Sequence, residues 1–317
     1  MRGAFVSMLT CVAVTGCIGQ TAAPCENARA CGAQPVTEPG VLLVTDRTTH
    51  EITRWASGSG ASIGAFVGAD AGPLDKPTGV AFRGDGEAFV VNFGRGQVLA
   101  YDGLSGRFQR VFFSDTGWLE EPVAIRFRND DMFLLGNDTR NLLVVDSQGQ
   151  VGADIGRRVI RYAHDFRFGP DGLVYIATSW DPHRAGMIQV WDADTGTLLG
   201  SFGSADELDE ATGLTFGPDG LLYVSDVIGN RVVRFDPTTW QRLDTFVGPE
   251  TGLGEPYALD FGAGGDLYVL AGRDVLRFDG VTGEPRGVFV RGDAAGFVYP
   301  RALVWRYGGV AARWLDR

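Results

Sequence analysis

The stretch Thr212-Gly-Leu-Thr-Phe216, Gly217-Pro-Asp-Gly220, Leu221-Leu-Tyr-Val-Ser-Asp226, then Asn230-Arg-Val-Val-Arg-Phe-Asp236 decides the fold. It alternates short β-rich runs with turn chemistry, and Gly-Pro-Asp-Gly between two such runs is a strong hairpin signal. A further strand, Arg242 to Val247, follows Thr239-Trp240. The stretch therefore reads as four consecutive strands, named a to d outward from an axis. The skeleton recurs at Thr78-Gly-Val-Ala-Phe82, Val123-Ala-Ile-Arg-Phe127, His164-Asp-Phe-Arg-Phe168 and Tyr257-Ala-Leu-Asp-Phe261. Each of these strand a runs closes on Phe, and Arg301-Ala-Leu-Val-Trp305 supplies a sixth beat. The intervals are 45, 41, 48, 45 and 44 residues, a period typical of stacked repeats.

A unit of this size cannot bury its apolar faces alone, so its neighbours must cover them. The ends of the chain complete the count. Val41 to Asp46, Glu51 to Trp55 and Ser62 to Val67 match strands b, c and d with no strand a before them, while Arg301 to Trp305 is a strand a with no blade after it. Pairing the two closes a ring and removes exposed edges. The expected fold is all-β: a six-bladed β-propeller of four-stranded blades, the first closed by the C-terminal strand, over 39–307. Residues 308–317 form a tail outside this count.

Pro77-Thr-Gly-Val-Ala-Phe82, Leu222-Tyr-Val-Ser-Asp226 and Asn230-Arg-Val-Val-Arg-Phe-Asp236 resemble the NHL repeat, well in blades two and five and more loosely elsewhere. Val190-Trp191-Asp192 with Thr195-Gly196 is also similar to WD repeats, but the Gly-His pair usual in those repeats is absent.

The N-terminus reads as an address. Arg2 precedes an apolar stretch, Ala4 to Val14, too short to span a bilayer. It ends in Val14-Thr15-Gly16-Cys17, which resembles a bacterial lipobox. That resemblance implies a signal peptide over 1–16, cleavage before Cys17, lipid attachment at Cys17 and a tether over 17–38. A plain secretory signal cut elsewhere is the alternative. Three acyl chains, as the lipoprotein pattern implies, would anchor firmly where one alone would not. Export exposes Cys25 and Cys31 to oxidising conditions, which makes them a candidate disulfide. Metal ligation by this pair lacks a nearby His or third Cys. The expected location is the bacterial cell envelope. With Lys plus Arg at 28 against 39 Asp plus Glu, a net charge of −11, nucleic-acid binding is disfavoured.

Propeller geometry limits the site. The start of every strand a shares a face with every b–c loop, so Thr78, Val123, His164, Thr212, Tyr257 and Arg301 gather around one axial mouth. The loops are expected to add Asp46, His50, Asn92, Arg95, Asp138, Arg140, Asp226, Arg231 and Arg273. Blade four carries a longer loop, Ser179-Trp-Asp-Pro-His-Arg-Ala-Gly186, and long loops on rigid scaffolds tend to carry binding function. The candidate binding face is thus His164, Asp165, Trp180, Asp181, His183, Arg184, Tyr257 and Arg301.

Three catalytic readings compete with binding. Some six-bladed relatives, such as peptidylglycine amidating lyase, place His at the start of several a strands around zinc; here only His164 fits, and a catalytic zinc needs three protein ligands. Lactonase-type propellers gather Glu, Asp and Asn around calcium, but none of the six starts carries a carboxylate or amide. Gly60-Ala-Ser62-Ile-Gly64 spells a nucleophile elbow, yet no helix pattern follows it. Asp46, Asn92 and Asp226 recur at the ends of b strands, where side-chain oxygens accept backbone N–H groups. The functional expectation is a non-catalytic binding or scaffold module with no metal or cofactor. Its partner is a protein, glycan or small molecule on the near face, and it meets the membrane only through lipid. The alternative is a metal-dependent lyase or lactonase-type hydrolase at the channel mouth, with His164, Asp165 and His183.

Overall fold

The computed structural model describes residues 40–84, 86–179, 186–204 and 206–307. Within them the chain forms six antiparallel sheets of four strands. Blade five runs Ala211–Phe216, Leu222–Asp226, Arg231–Phe235 and Arg242–Val247. Its Gly-Pro-Asp-Gly hairpin is held by one side chain: Asp219 Oδ1 accepts the Leu221 N–H, and Oδ2 accepts the Tyr223 hydroxyl at 2.9 Å. Asp171 repeats both bonds with Leu173 and Tyr175 in blade four.

Blade one is composite, as the orphan strands at the chain's ends require. Pro300–Arg306 supplies strand a for Val41–Asp46, Glu51–Ala56 and Ser62–Val67. Leu42 lies opposite Trp305, Leu43 opposite Val304 and Val44 opposite Leu303. No sheet is left short of a strand. Ser62 opens the exposed outer strand of this blade, and the next element is another strand rather than a helix, so the Gly-x-Ser-x-Gly spelling is accidental.

The six-beat aromatic is the pin between blades. Five of the six pack edge-on against the strand b aromatic of the preceding blade: Phe127 on Phe89, Phe168 on Phe133, Phe216 on Tyr175, Phe261 on Tyr223 and Trp305 on Tyr268, with centroids 4.8–5.3 Å apart. The last of these seals the ring. Blade one has Leu43 at the strand b position, so Phe82 instead meets Phe66 of the outer strand at 5.9 Å. Such pairs add about 0.5–1.5 kcal/mol beyond the area they bury. Around them the buried clusters bridge adjacent blades; one joins Phe89, Val91 and Val98 to Ile125, Phe127 and Leu134.

Asp46, Asn92 and Asp226 are fully buried and structural. Asp46 accepts N–H groups from Thr48 and Thr49 in its own loop, and from Val298 and Tyr299 in the segment that enters strand a. Asp226 does the same for Gly229 and for Asp209 and Glu210, and Asn92 holds Asp75 and Pro73. Each therefore locks the crossover from the previous blade to the b–c loop of its own. The readings on Cys17, Cys25 and Cys31, the boundaries before residue 39 and the tail 308–317 lie outside the described residues. Among the described residues no helix is long and apolar enough to cross a membrane.

Candidate functional site

Six β-bulges build the site. In every blade strand a carries one residue more than strand b near its start, and the register skips at Thr78, Val123, His164, Thr212, Tyr257 and Arg301. A bulge leaves its extra residue unpaired and re-aims the side chain. All six line one axial cavity of about 640 Å³. The convergence expected from strand order therefore has a local cause.

Neighbouring backbone hydrogen bonds fix the rim. Arg47, Asn137, Ser179, Val227 and Gly272 follow or end strand b, and each donates its N–H to the residue ahead of strand a: Tyr299, Glu121, Tyr162, Glu210 and Glu255, at 3.0–3.1 Å. Glu121, Tyr162 and Glu255 adopt left-handed backbone, with φ of 47°, 48° and 46°, a conformation that non-glycine residues hold only where the surroundings impose it.

Below the bulges the channel has two further tiers. The next residue along each strand a is Gly79, Ala124, Asp165, Gly213, Ala258 or Ala302. The crowding is tight: a Cβ on Gly213 would stand 2.7 Å from the Tyr257 carbonyl oxygen. Blade four alone places a charge there. Two residues further, immediately before each beat aromatic, stand Ala81, Arg126, Arg167, Thr215, Asp260 and Val304. Arg126 donates to Asp165 at 2.8 Å. Arg167 lies 3.3 Å from Asp165 and 3.8 Å from Asp260, which accepts the Thr215 hydroxyl at 3.1 Å. Two cations and two anions thus interlock across the channel floor, satisfying charges that would be costly alone. Burial pushes Asp165 and Asp260 up to about 6 against the pull of Arg126. The polar plug is real but lies within the channel, below the mouth.

His164 stands apart from it. Its Nε2 lies 3.3 Å from the Ser179 hydroxyl and 3.8 Å from Glu210 Oε1. About a third of the side chain is open, at 34%, but onto the narrow channel. Burial, then the Arg301 charge, lowers the imidazole to about 4, so it is neutral at pH 7. Glu210 is raised by burial and by Asp226.

Of the candidate binding face, His164, Asp165, Tyr257 and Arg301 line the cavity together. Trp180, Asp181, His183 and Arg184 lie outside the described residues. The blade-four extension is partly a longer ladder: Ser179 pairs with Gly186, one step beyond the pair Thr178 and Met187. In blade five the ladder ends at Asp226 and Arg231.

The loop residues need correction. Asp46 and Asn92 are buried in the locks described above, and Arg231 is paired with Asp226 at 2.9 Å. The loop side chains on the cavity are instead Arg47, Phe93, Asn137, Val227, Ile228 and Asn230; of these, Arg47, Phe93 and Val227 directly follow the buried locks Asp46, Asn92 and Asp226. Arg126, Arg167 and Asp260 were missed, although reading one residue back from each beat aromatic finds that tier. Among the described residues no three His, Cys, Asp or Glu side chains gather at metal-binding spacing.

The fold and mouth define a six-bladed β-propeller. No family model matches the sequence, and no curated protein does. Solved structures match in shape. A chain of the nidogen/laminin complex superposes with a TM-score of 0.67 at 18% identity, covering 84% of this chain and 98% of that one. Virginiamycin B lyase from Staphylococcus aureus gives 0.59 at 15% identity, covering 82% and 87%. A streptogramin B lyase gives 0.54 at 15%, covering 78% and 72%. At these identities the likeness is one of fold.

Proposed function

We propose that the chain is an exported, lipid-anchored propeller that captures a partner at the face bearing the b–c loops and performs no chemistry there. The convergence of six bulged side chains on one cavity carries this reading, since bulges re-aim side chains towards sites and a cavity of this size suits a ligand. A propeller in the nidogen/laminin complex belongs to a protein assembly, which is the behaviour proposed here.

The competing lyase or lactonase reading takes its support from the lyase neighbours. Against it, Asp165 is engaged by Arg126 and the Phe166 N–H rather than by His164. Replacing Trp180, Arg184 and Tyr257 together with Ala is expected to abolish capture of the partner that copurifies from native envelope, with the melting temperature unchanged. Unchanged capture would place the interface elsewhere. Stoichiometric zinc or calcium in purified protein, lost in His164→Ala, would favour the catalytic reading.

A further inference from the structure

Two arginines at the mouth differ from the pair on the channel floor. Arg301 is the bulged residue of blade one, and Arg47 begins the b–c loop of the same blade. Both line the cavity. Arg126 and Arg167 are ion-paired with carboxylates, whereas neither Arg47 nor Arg301 has a carboxylate within 4.0 Å among the described residues.

Aromatic rings hold them instead. The Arg47 guanidinium lies 3.9 Å from the Phe93 centroid. That of Arg301 lies 3.9 Å from Tyr299 and 4.6 Å from Tyr257, and it donates to the Tyr299 hydroxyl. Stacking supports a guanidinium by its face without neutralising it, leaving in-plane N–H donors for an acceptor. Arg301 Nε is buried with no hydrogen-bond partner. The two cations repel, and burial lowers both below the ordinary guanidinium value. Glu121 and Glu210 act on them only at longer range.

The frame is set before any ligand arrives. The Arg47 N–H donates to the Tyr299 carbonyl at 3.0 Å, and Asp46 holds the Val298 and Tyr299 N–H groups. We propose that Arg47 and Arg301 form an oxyanion site at the mouth, taking a small molecule that carries a carboxylate or phosphate on a flat apolar body. Its anionic end would accept the free guanidinium donors, the geometry in which arginine binds such groups best. Phe93, Tyr257 and Tyr299 would cover the body. The cavity volume suits a small ligand.

This proposal rests on the near-face reading and narrows it. Isothermal titration of the purified chain with benzoate, inorganic phosphate and neutral benzamide tests it. Saturable one-to-one binding of benzoate or phosphate is expected, with benzamide at least about tenfold weaker; which anion binds identifies the oxyanion. Arg47→Gln and Arg301→Gln should each weaken binding about tenfold or more, the order of one lost charge-assisted bond. Arg301→Lys should retain part of it, and an unchanged melting temperature would show that each variant is folded. No saturable anion binding by the intact chain, or equal binding by the Gln variants, overturns the proposal. If that happens while partner capture still depends on the near face, only the oxyanion site fails. If anion binding depends on Arg301 but near-face variants still capture the partner, the wider reading fails and this site stands.

Discussion

Asp165 and Asp260 keep their protons to higher pH than ordinary carboxyl groups because burial penalises their charge. The folded chain binds protons there below about 6, while the unfolded chain waits until about 3.8. Their ionisation is therefore a cost present above pH 6 and relieved as the pH falls towards 4, on the order of 2 to 3 kcal/mol per group at full relief. His164 has the opposite sign. Its imidazole is protonated below 6.5 when unfolded but only below about 4 when folded, so its contribution is intact above 6.5 and is lost as the pH falls through that window. Urea unfolding at pH 7 and pH 5 separates the two. His164→Gln should lose less stability on acidification than the parent chain, and Asp260→Asn should lose more. An unaltered pH response in His164→Gln would contradict a neutral, half-buried imidazole. At this scale strand order alone puts His164, Tyr257 and Arg301 on one rim, and all three line one cavity with Asp165 a tier below them. The sequence did not show Arg126, Arg167 and Asp260, because their inward direction depends on the bulge that resets the alternation of strand a.

The strand carrying Trp305 has to complete a sheet begun more than 250 residues earlier, where Val298 and Asp46 are hydrogen-bonded. Trp305 is 7% exposed and meets Tyr268 at 4.8 Å, so Trp305→Ala should cost about 3–5 kcal/mol in urea unfolding. A loss below about 1 kcal/mol would show that the ring does not depend on this closure. The buried locks give a second contrast. Asp46→Ala strips acceptors from four backbone N–H groups and should cost at least about 2 kcal/mol more than Asp236→Ala, a half-buried turn residue whose carboxylate accepts the Thr238 N–H in a solvent-exposed bond. Equal losses would remove the structural role assigned to Asp46. Elements were legible because the Phe beat and the Gly-Pro-Asp-Gly turns repeat in sequence. The loop residues on the cavity were less so. The sequence reads Asp46 and Asn92 as acceptors for backbone N–H groups of their own loops, and only three-dimensional packing reveals that they reach back to the preceding crossover.

For the whole molecule, two propositions belong together: an N-terminal lipid that fixes the chain to a membrane, and one face of a rigid ring that meets a partner. Replacing Cys17 with Ala should move the protein from the membrane fraction to the soluble fraction of the envelope, with the same melting temperature. Membrane retention would reject lipid attachment at that residue. The face is tested most directly by a photo-crosslinking residue placed at Val123, on the cavity wall, and, in a separate chain, at Gly264, in the a–b turn of blade six, where a side chain has open space. Irradiation in native envelope should give a discrete adduct from Val123 and none from Gly264. An adduct from Gly264 alone, or equal adducts from both, would contradict a functional mouth at the bulged ends of the a strands.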